Sequence, residues 1–221
     1  MDDALRRSAA HVLVADVGAP VLDDGAWHHL SRVLRLCAGD AVTVTDGCGR
    51  WRACRVAGEQ SLDCAGDVRA EAAPAATTVV VAPPKGDRLE WLVQKCTEVG
   101  VGRIVLVQAA RSVVRWDGER AAKQMARLAT IAAEAAMQAR RVWLPTVEGP
   151  VPAADVLASA AVAEPGGRPV DTRDRCIAVG PEGGWTPDEL AVAGDQVSLG
   201  STILRVETAA VVAATLMGAA R

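Results

Sequence analysis

From Thr77 onward the chain alternates between two hydrophobic periods, and this alternation limits its fold more than any other feature. "TTVVVAPPK" is a continuous apolar run, as expected of a strand covered on both faces. "GDRLEWLVQKCTEVG" follows, with Leu89, Leu92, Val93, Cys96 and Val99 on one helical face and Gly100 as a stop. "RIVLVQ" reads as a strand and "DGERAAKQMARLATIAAEAAMQARR" as a long helix. "RCIAVG", "TPDELAVAG", "QVSLG" and "ETAAVVAATLMGAA" then read as strand, helix, strand and closing helix. Strands alternating with helices predict a parallel α/β sheet. Residues 151–175 are rich in Ala, Pro and Gly, which predicts a helix near 153–160 and then a loose loop.

The first third is β-rich. "HVLVADV" is a short apolar strand, and "DAVTVTDGCGRWRACRV" alternates around Gly47–Gly49 as a hairpin does. "DGAWHHLSRVLRL" places Leu30, Val33 and Leu34 at helical spacing between them. A small barrel carrying one helix is expected, followed by a linker at "AEAAPAATT". The expected domains are therefore 1–71 and 76–221.

Half of the 221 residues are hydrophobic and 23% are charged, which excludes a disordered chain. Phe and Tyr are absent, so six Trp carry all aromatic packing and stacking. A net charge of −3 gives no global sign of nucleic-acid binding, but basic residues cluster over 28–55 and 103–141. The six cysteines form no C-x-x-C pair and the three histidines add no metal spacing. Reduced thiols in a cytoplasmic protein without a metal are expected. The start, "MDDALRR", lacks signal-peptide character, and the apolar run after Glu207 is too short for a membrane helix, so no membrane partner is expected.

Four clusters carry chemistry. "VGPEGGWTPDEL" follows an apolar strand, where open α/β sheets hold ligands. Thr186, Pro187 and Glu189 explain its second half as helix initiation. "GPEGG" exceeds what a turn needs. It matches no phosphate loop, and Glu182 would repel phosphate while tolerating a neutral or cationic ligand. "LGSTILRVETAA" is a second strand-to-helix junction. Glu207 and Thr208 there suit helix capping, whereas Arg205 between Leu204 and Val206 is not explained by packing. "AAEAAMQARRVWLP" and "VQAARSVVRWDG" supply Gln138, Arg140, Arg141, Arg111 and Arg115.

Together with "HHLSRVLRLCAGD" and "KGDRLEWLVQKCTEVGV", these clusters resemble, in order, the RsmE family of 16S ribosomal RNA uracil-N3 methyltransferases in the SPOUT superfamily. The chain departs from that pattern at Met137 and Ala139, where the family carries an acidic residue and a serine. The resemblance implies an N-terminal PUA-like β-barrel for RNA, a SPOUT-type α/β domain with a C-terminal trefoil knot, S-adenosylmethionine as methyl donor, and a homodimer acting on ribosomal RNA. By motif, the cofactor residues are Gly180, Glu182, Gly183, Gly184, Leu199, Gly200, Ile203, Leu204, Arg205 and Thr208. Arg205 and Glu207 are the catalytic candidates, the first to stabilise a negative base or anchor a phosphate, the second to accept a proton. Arg32, Arg35, Arg52, Arg111, Arg115, Gln138, Arg140 and Arg141 are expected on RNA. A non-catalytic ribosome-assembly factor of the same fold and a methyltransferase acting on tRNA are the alternative readings.

Overall fold

The computed structural model describes residues 2–58, 60–64 and 66–219. Two units emerge: residues 1–74 with 136–144, and residues 75–135 with 145–221. The expectation of one uninterrupted segment per domain is corrected at 136–144, which packs with the first unit. The Gly49 N–H donates to the Val142 carbonyl at 2.8 Å, and Val142 lies in a small core with Leu5 and Trp51. The backbone N–H of Leu13 reaches the Met137 sulfur at 3.3 Å.

The first unit holds α1 (Asp3–Arg7), β1 (Ala10–Leu13), α2 (Asp24–His28), β2 (Ala41–Thr45), β3 (Arg50–Gly58), β4 (Ser61–Cys64) and β5 (Arg69–Ala70). Strands β1 to β4 lie in chain order. β1 runs parallel to β2, β2–β3–β4 are antiparallel, and β5 pairs with the start of β3. The "DGAWHHLSRVLRL" helix forms, but its second half, His29–Val33, winds as a π-helical turn. Inside this unit the His11 ring bonds the Thr43 hydroxyl at 2.8 Å and the Arg141 carbonyl at 3.1 Å. Burial lowers its pKa to about 4, so this histidine is a neutral core group.

The second unit holds β6 (Thr78–Val81), α3 (Arg88–Glu98), β7 (Arg103–Gln108), α4 (Gly118–Gln138, apart from its last residues, 136–138, which belong to the first unit), β8 (Thr146–Pro152), α5 (Ala154–Leu157), β9 (Ala161–Pro169), β10 (Cys176–Val179), α6 (Pro187–Val192), β11 (Asp195–Ser198) and α7 (Val206–Ala219). Six parallel strands run in the order β11-β9-β10-β6-β7-β8. Alternate residues face opposite cores. Val79 and Val81 pack with Leu92 of α3, Leu128 of α4 and Ala210 of α7. Val80 and Ala82 pack with Leu157 of α5 and with Trp185. Both faces are covered, which is why β6 reads as an unbroken apolar run. Residue 220, at the end of the expected closing helix, lies outside the described residues.

The loose loop expected before Arg175 is corrected. Only 154–157 are helical, and residues 161–169 form β9 between β10 and β11. Arg168 fastens it, pairing with Asp195 at 2.6 Å and with Asp174 at 2.8 Å. These contacts raise the Arg168 pKa and, in turn, hold Asp174 below its usual value. Cys96 is buried beside the sheet, and burial pushes its thiol up to about 12, marking it as a packing residue.

Candidate active site

A cavity of about 960 Å³ opens beside the carboxyl ends of β10 and β11. Strand ends are where an open parallel sheet leaves backbone groups unpaired and available to a ligand. Three walls build it, each from a different segment.

The first wall is the loop after β10. Gly180, Glu182 and Gly184 line the cavity. Gly180 is required by close approach: a Cβ there would meet the Trp185 indole nitrogen at 2.9 Å. Gly184 is required by conformation, with φ +69 and open space around it. The loop is braced from outside. Arg111 Nη1 donates to the carbonyls of Gly183 (2.9 Å) and Trp185 (3.1 Å). Glu189 closes the capping box expected with Thr186 and also accepts the Ala110 N–H at 2.8 Å. Burial pushes the Glu189 carboxyl up, but the N–H groups of Thr186 and Ala110 and the Thr186 hydroxyl together bring it below its usual value.

The second wall is the loop after β11, where Leu199, Gly200, Ile203, Leu204 and Arg205 line the cavity. Its internal bonding is sparse: the Ser198 hydroxyl joins the Gly200 backbone at 3.1 and 3.4 Å. Ile203 is 84% exposed, and Arg205 is exposed as well.

The third wall was not legible from motifs. Opposite β11, the register of β9 jumps from Val162 to Arg168 across the single step Gln196–Val197. Residues 163–167 thus leave the ladder as a wide bulge, and Ala163, Glu164, Pro165 and Gly166 line the cavity. Arg88, at the start of α3, completes the lining. Its Nη1 lies 3.9 Å from Glu182 and 3.8 Å from Glu207.

Eight of the ten residues expected to hold a cofactor therefore meet in one cavity. The other two do not line it. Gly183 instead leaves room for Arg111, whose Cβ would lie 3.3 Å from an added methyl, and Thr208 is exposed on α7. Glu207 stands in the first turn of α7, as expected. Its buried Oε2 accepts no hydrogen bond among the described residues, and its neighbour is Arg88. Among the residues expected on RNA, Arg111 holds the loop carbonyls. Arg52 donates to the carbonyls of Gly18 (3.0 Å) and Gly66 (2.8 Å). Arg140, at φ +58, donates to the Ser8 carbonyl at 2.8 Å, and burial lowers its pKa. Arg32 lines a smaller concavity of the first unit with Trp27 and His28, while Arg35, Arg115 and Gln138 are exposed. Arg141 is half-buried and gives its carbonyl to His11.

The donor set suits an organic cation rather than a phosphate or a metal. Apolar side chains and glycine backbone dominate, the carboxylates Glu164 and Glu182 offset the lining cations Arg88 and Arg205, and a carboxylate oxygen of Glu207 without a hydrogen bond is buried nearby, facing Arg88. Among the described residues, no group of three or more His, Cys, Asp or Glu could hold a metal ion. No helix among them is long and apolar enough to cross a membrane.

Comparison with known proteins agrees with this architecture. Residues 71–218 match the RNA methyltransferase domain family, and residues 22–64 match the RNA methyltransferase PUA domain family. The ribosomal RNA small subunit methyltransferase E of Mycobacterium tuberculosis is 36% identical over 229 residues, covering 92% of this chain and 87% of that protein. The protein of the same name from Synechocystis is 32% identical, covering 84% and 68%. The crystal structure of ribosomal RNA small subunit methyltransferase E from Neisseria gonorrhoeae bound to S-adenosyl methionine matches with a TM-score of 0.72 at 30% identity, over 89% of each chain. A probable rRNA-methyltransferase from Porphyromonas gingivalis matches at 0.76 with 28% identity, over 96% of this chain and all of that one. Family matches across both units, together with a cavity assembled from the two motif loops, lead to one conclusion: the chain belongs to the ribosomal RNA small subunit methyltransferase E family.

Proposed function

We propose that this protein transfers a methyl group from S-adenosylmethionine to N3 of one uridine in small-subunit (16S) ribosomal RNA. It works as a homodimer, with the segments after β10 and β11 forming the loops of a trefoil knot. The observation that carries this reading is the convergence of both motif loops on one cavity of about 960 Å³. That volume lies in the range of small-molecule sites.

When bound, S-adenosylmethionine supplies an electrophilic methyl on a positively charged sulfur. The chain's residues do the rest. The glycines at 184 and 200, with open space where a Cβ would stand, let backbone groups approach the donor closely. Arg111 and Glu189 hold the first loop in shape before anything binds, so less ordering is needed on binding. Uridine N3 carries a proton that must leave before or during attack. Arg205, exposed on the cavity wall, stabilises the negative charge that the uracil ring then carries. Glu207, buried behind this wall and held near Arg88, is the candidate proton acceptor. The target base leaves its stack to reach the donor, and exposed Arg35, Arg115 and Gln138, with Arg32, contact the surrounding RNA.

Calorimetric titration with S-adenosylmethionine tests the cofactor, and absence of binding at millimolar ligand refutes the enzyme reading. Mass mapping of ribosomal RNA from a deletion strain tests the substrate, and an unchanged map refutes it. Arg205→Ala is expected to abolish turnover in a folded protein, and retained turnover removes Arg205 from the mechanism.

A further inference from the structure

We infer that Glu164 is the residue by which the cavity distinguishes the positively charged methyl donor from its demethylated product, which carries one positive charge fewer. The inference rests on the cofactor reading above. Glu164 owes its place to the β9 bulge, which carries residues 163–167 out of the ladder and onto the cavity wall. Of the two carboxylates that line the cavity, it is the one without an ion-pair partner among the described residues. Glu182 shares Arg88 with neighbouring Glu207, at 3.9 and 3.8 Å. Among the described residues no ion pair or hydrogen bond reaches Glu164. Burial alone raises its carboxyl, with no cation contributing. A half-buried carboxylate without a partner favours whatever ligand brings a positive charge.

Methyl transfer removes that charge. The sulfur–methyl bond breaks and its electron pair stays on sulfur, the methyl joins uridine N3, and the N3 proton leaves. The product keeps the nucleoside and the amino-acid end, so contacts to those parts cannot separate it from the donor. A lone carboxylate on the wall can, because its interaction with the ligand changes with the charge. At a separation of roughly 6 Å and an effective dielectric of about 40, losing one such carboxylate weakens a cation's binding by about tenfold.

Calorimetry on the unmodified protein and on Glu164→Gln, each with S-adenosylmethionine and S-adenosylhomocysteine, decides the matter. The unmodified protein is expected to prefer the methionine form. The variant is expected to lose about tenfold for that form and under about twofold for the other. Equal losses for both ligands overturn the inference and place Glu164 on a part they share. So does equal affinity of the unmodified protein for both. If the variant does not fold, salt gives a second reading on the unmodified protein. Raising KCl from about 0.05 M to about 0.5 M is expected to lower the preference for the charged form, and an unchanged preference overturns the inference. Failure of the unmodified protein to bind either ligand is a distinct outcome: it removes the cofactor reading, and the inference with it.

Discussion

Gly180 and Gly184 stand four residues apart in one loop, yet the structure requires glycine for different reasons, and the two can be separated experimentally. A Cβ on Gly180 would lie 2.9 Å from Trp185 Nε1 and 3.0 Å from Cε2, whereas comfortable contact begins near 3.4 Å. The indole is only 4% exposed and packs into the core under the sheet, so it cannot step aside. Gly180→Ala therefore overpacks the site by about 1–3 kcal/mol. For a domain of this size that corresponds to a fall in Tm of roughly 3–10 °C. If the loop yields instead of the core, the same energy weakens cofactor binding by about tenfold per 1.4 kcal/mol. Gly184→Ala meets no atom within 4 Å; its cost is the left-handed backbone, roughly 1–2 kcal/mol. Asn tolerates that conformation, so Gly184→Asn recovers most of the loss, whereas Gly180→Asn is worse than Gly180→Ala. Urea denaturation with calorimetric titration reads both quantities. A Gly180→Ala protein with wild-type stability and wild-type affinity refutes the steric argument, and a Gly184→Asn protein no better than Gly184→Ala refutes the conformational one.

Arg111→Met removes the donor shared by the Gly183 and Trp185 carbonyls. Because that side chain is exposed, we expect only about 1 kcal/mol, seen as roughly fivefold weaker cofactor binding with little change in Tm. Glu189→Gln loses the carboxylate that serves the Thr186 and Ala110 N–H groups, and urea denaturation is expected to show a loss of about 1–2 kcal/mol. His11 is near 6.5 when unfolded and about 4 when folded, so the unfolded chain binds more protons between those values. Stability is therefore intact above pH 6.5 and falls by about 3 kcal/mol as pH drops to 4. His11→Gln flattens that part of the pH profile. Amide exchange over 199–205 is expected to be fast in the free protein and to slow on binding S-adenosylmethionine, because this wall has few internal bonds, while the braced 180–185 segment changes less.

The sheet was legible where strands are buried on both faces. Thr78–Val81 and Arg103–Gln108 are apolar runs because successive residues feed opposite cores. β8 and β9 were not. "TVEGPVP" and "AVAEPGGRP" carry Gly and Pro, which weaken intrinsic strand preference. β9 is a strand because β10 and β11 flank it and Arg168 fastens it, contacts formed far along the chain. The same limit hid residues 136–144 in the first unit. The cavity followed this division: the two glycine loops announced themselves by residue type, while the bulge bearing Glu164 depends on register, which a single strand does not encode.

Charge was the least readable property, and Arg111 shows why. In the sequence it sits in a basic cluster after a strand and reads as a phosphate contact. In the fold its guanidinium is taken up by two carbonyls of the loop that frames the cavity. Arg52 and Arg140 are likewise taken up by backbone carbonyls. A guanidinium has five donors, and a chain that turns tightly around glycines leaves carbonyls that need them. Counting arginines therefore overestimates the RNA-facing charge, which agrees with a net charge of −3 in a family that acts on RNA. Glu207 is the converse case. Its position suits a helix cap and the family resemblance makes it a proton acceptor; in the fold its buried Oε2 has no hydrogen-bond donor and faces Arg88. A buried carboxylate so poorly satisfied is costly to keep for stability alone. Its cost is understandable beside a cavity that receives a cationic methyl donor, and it is here, rather than in the well-satisfied capping box of Glu189, that the chain departs from what folding by itself requires.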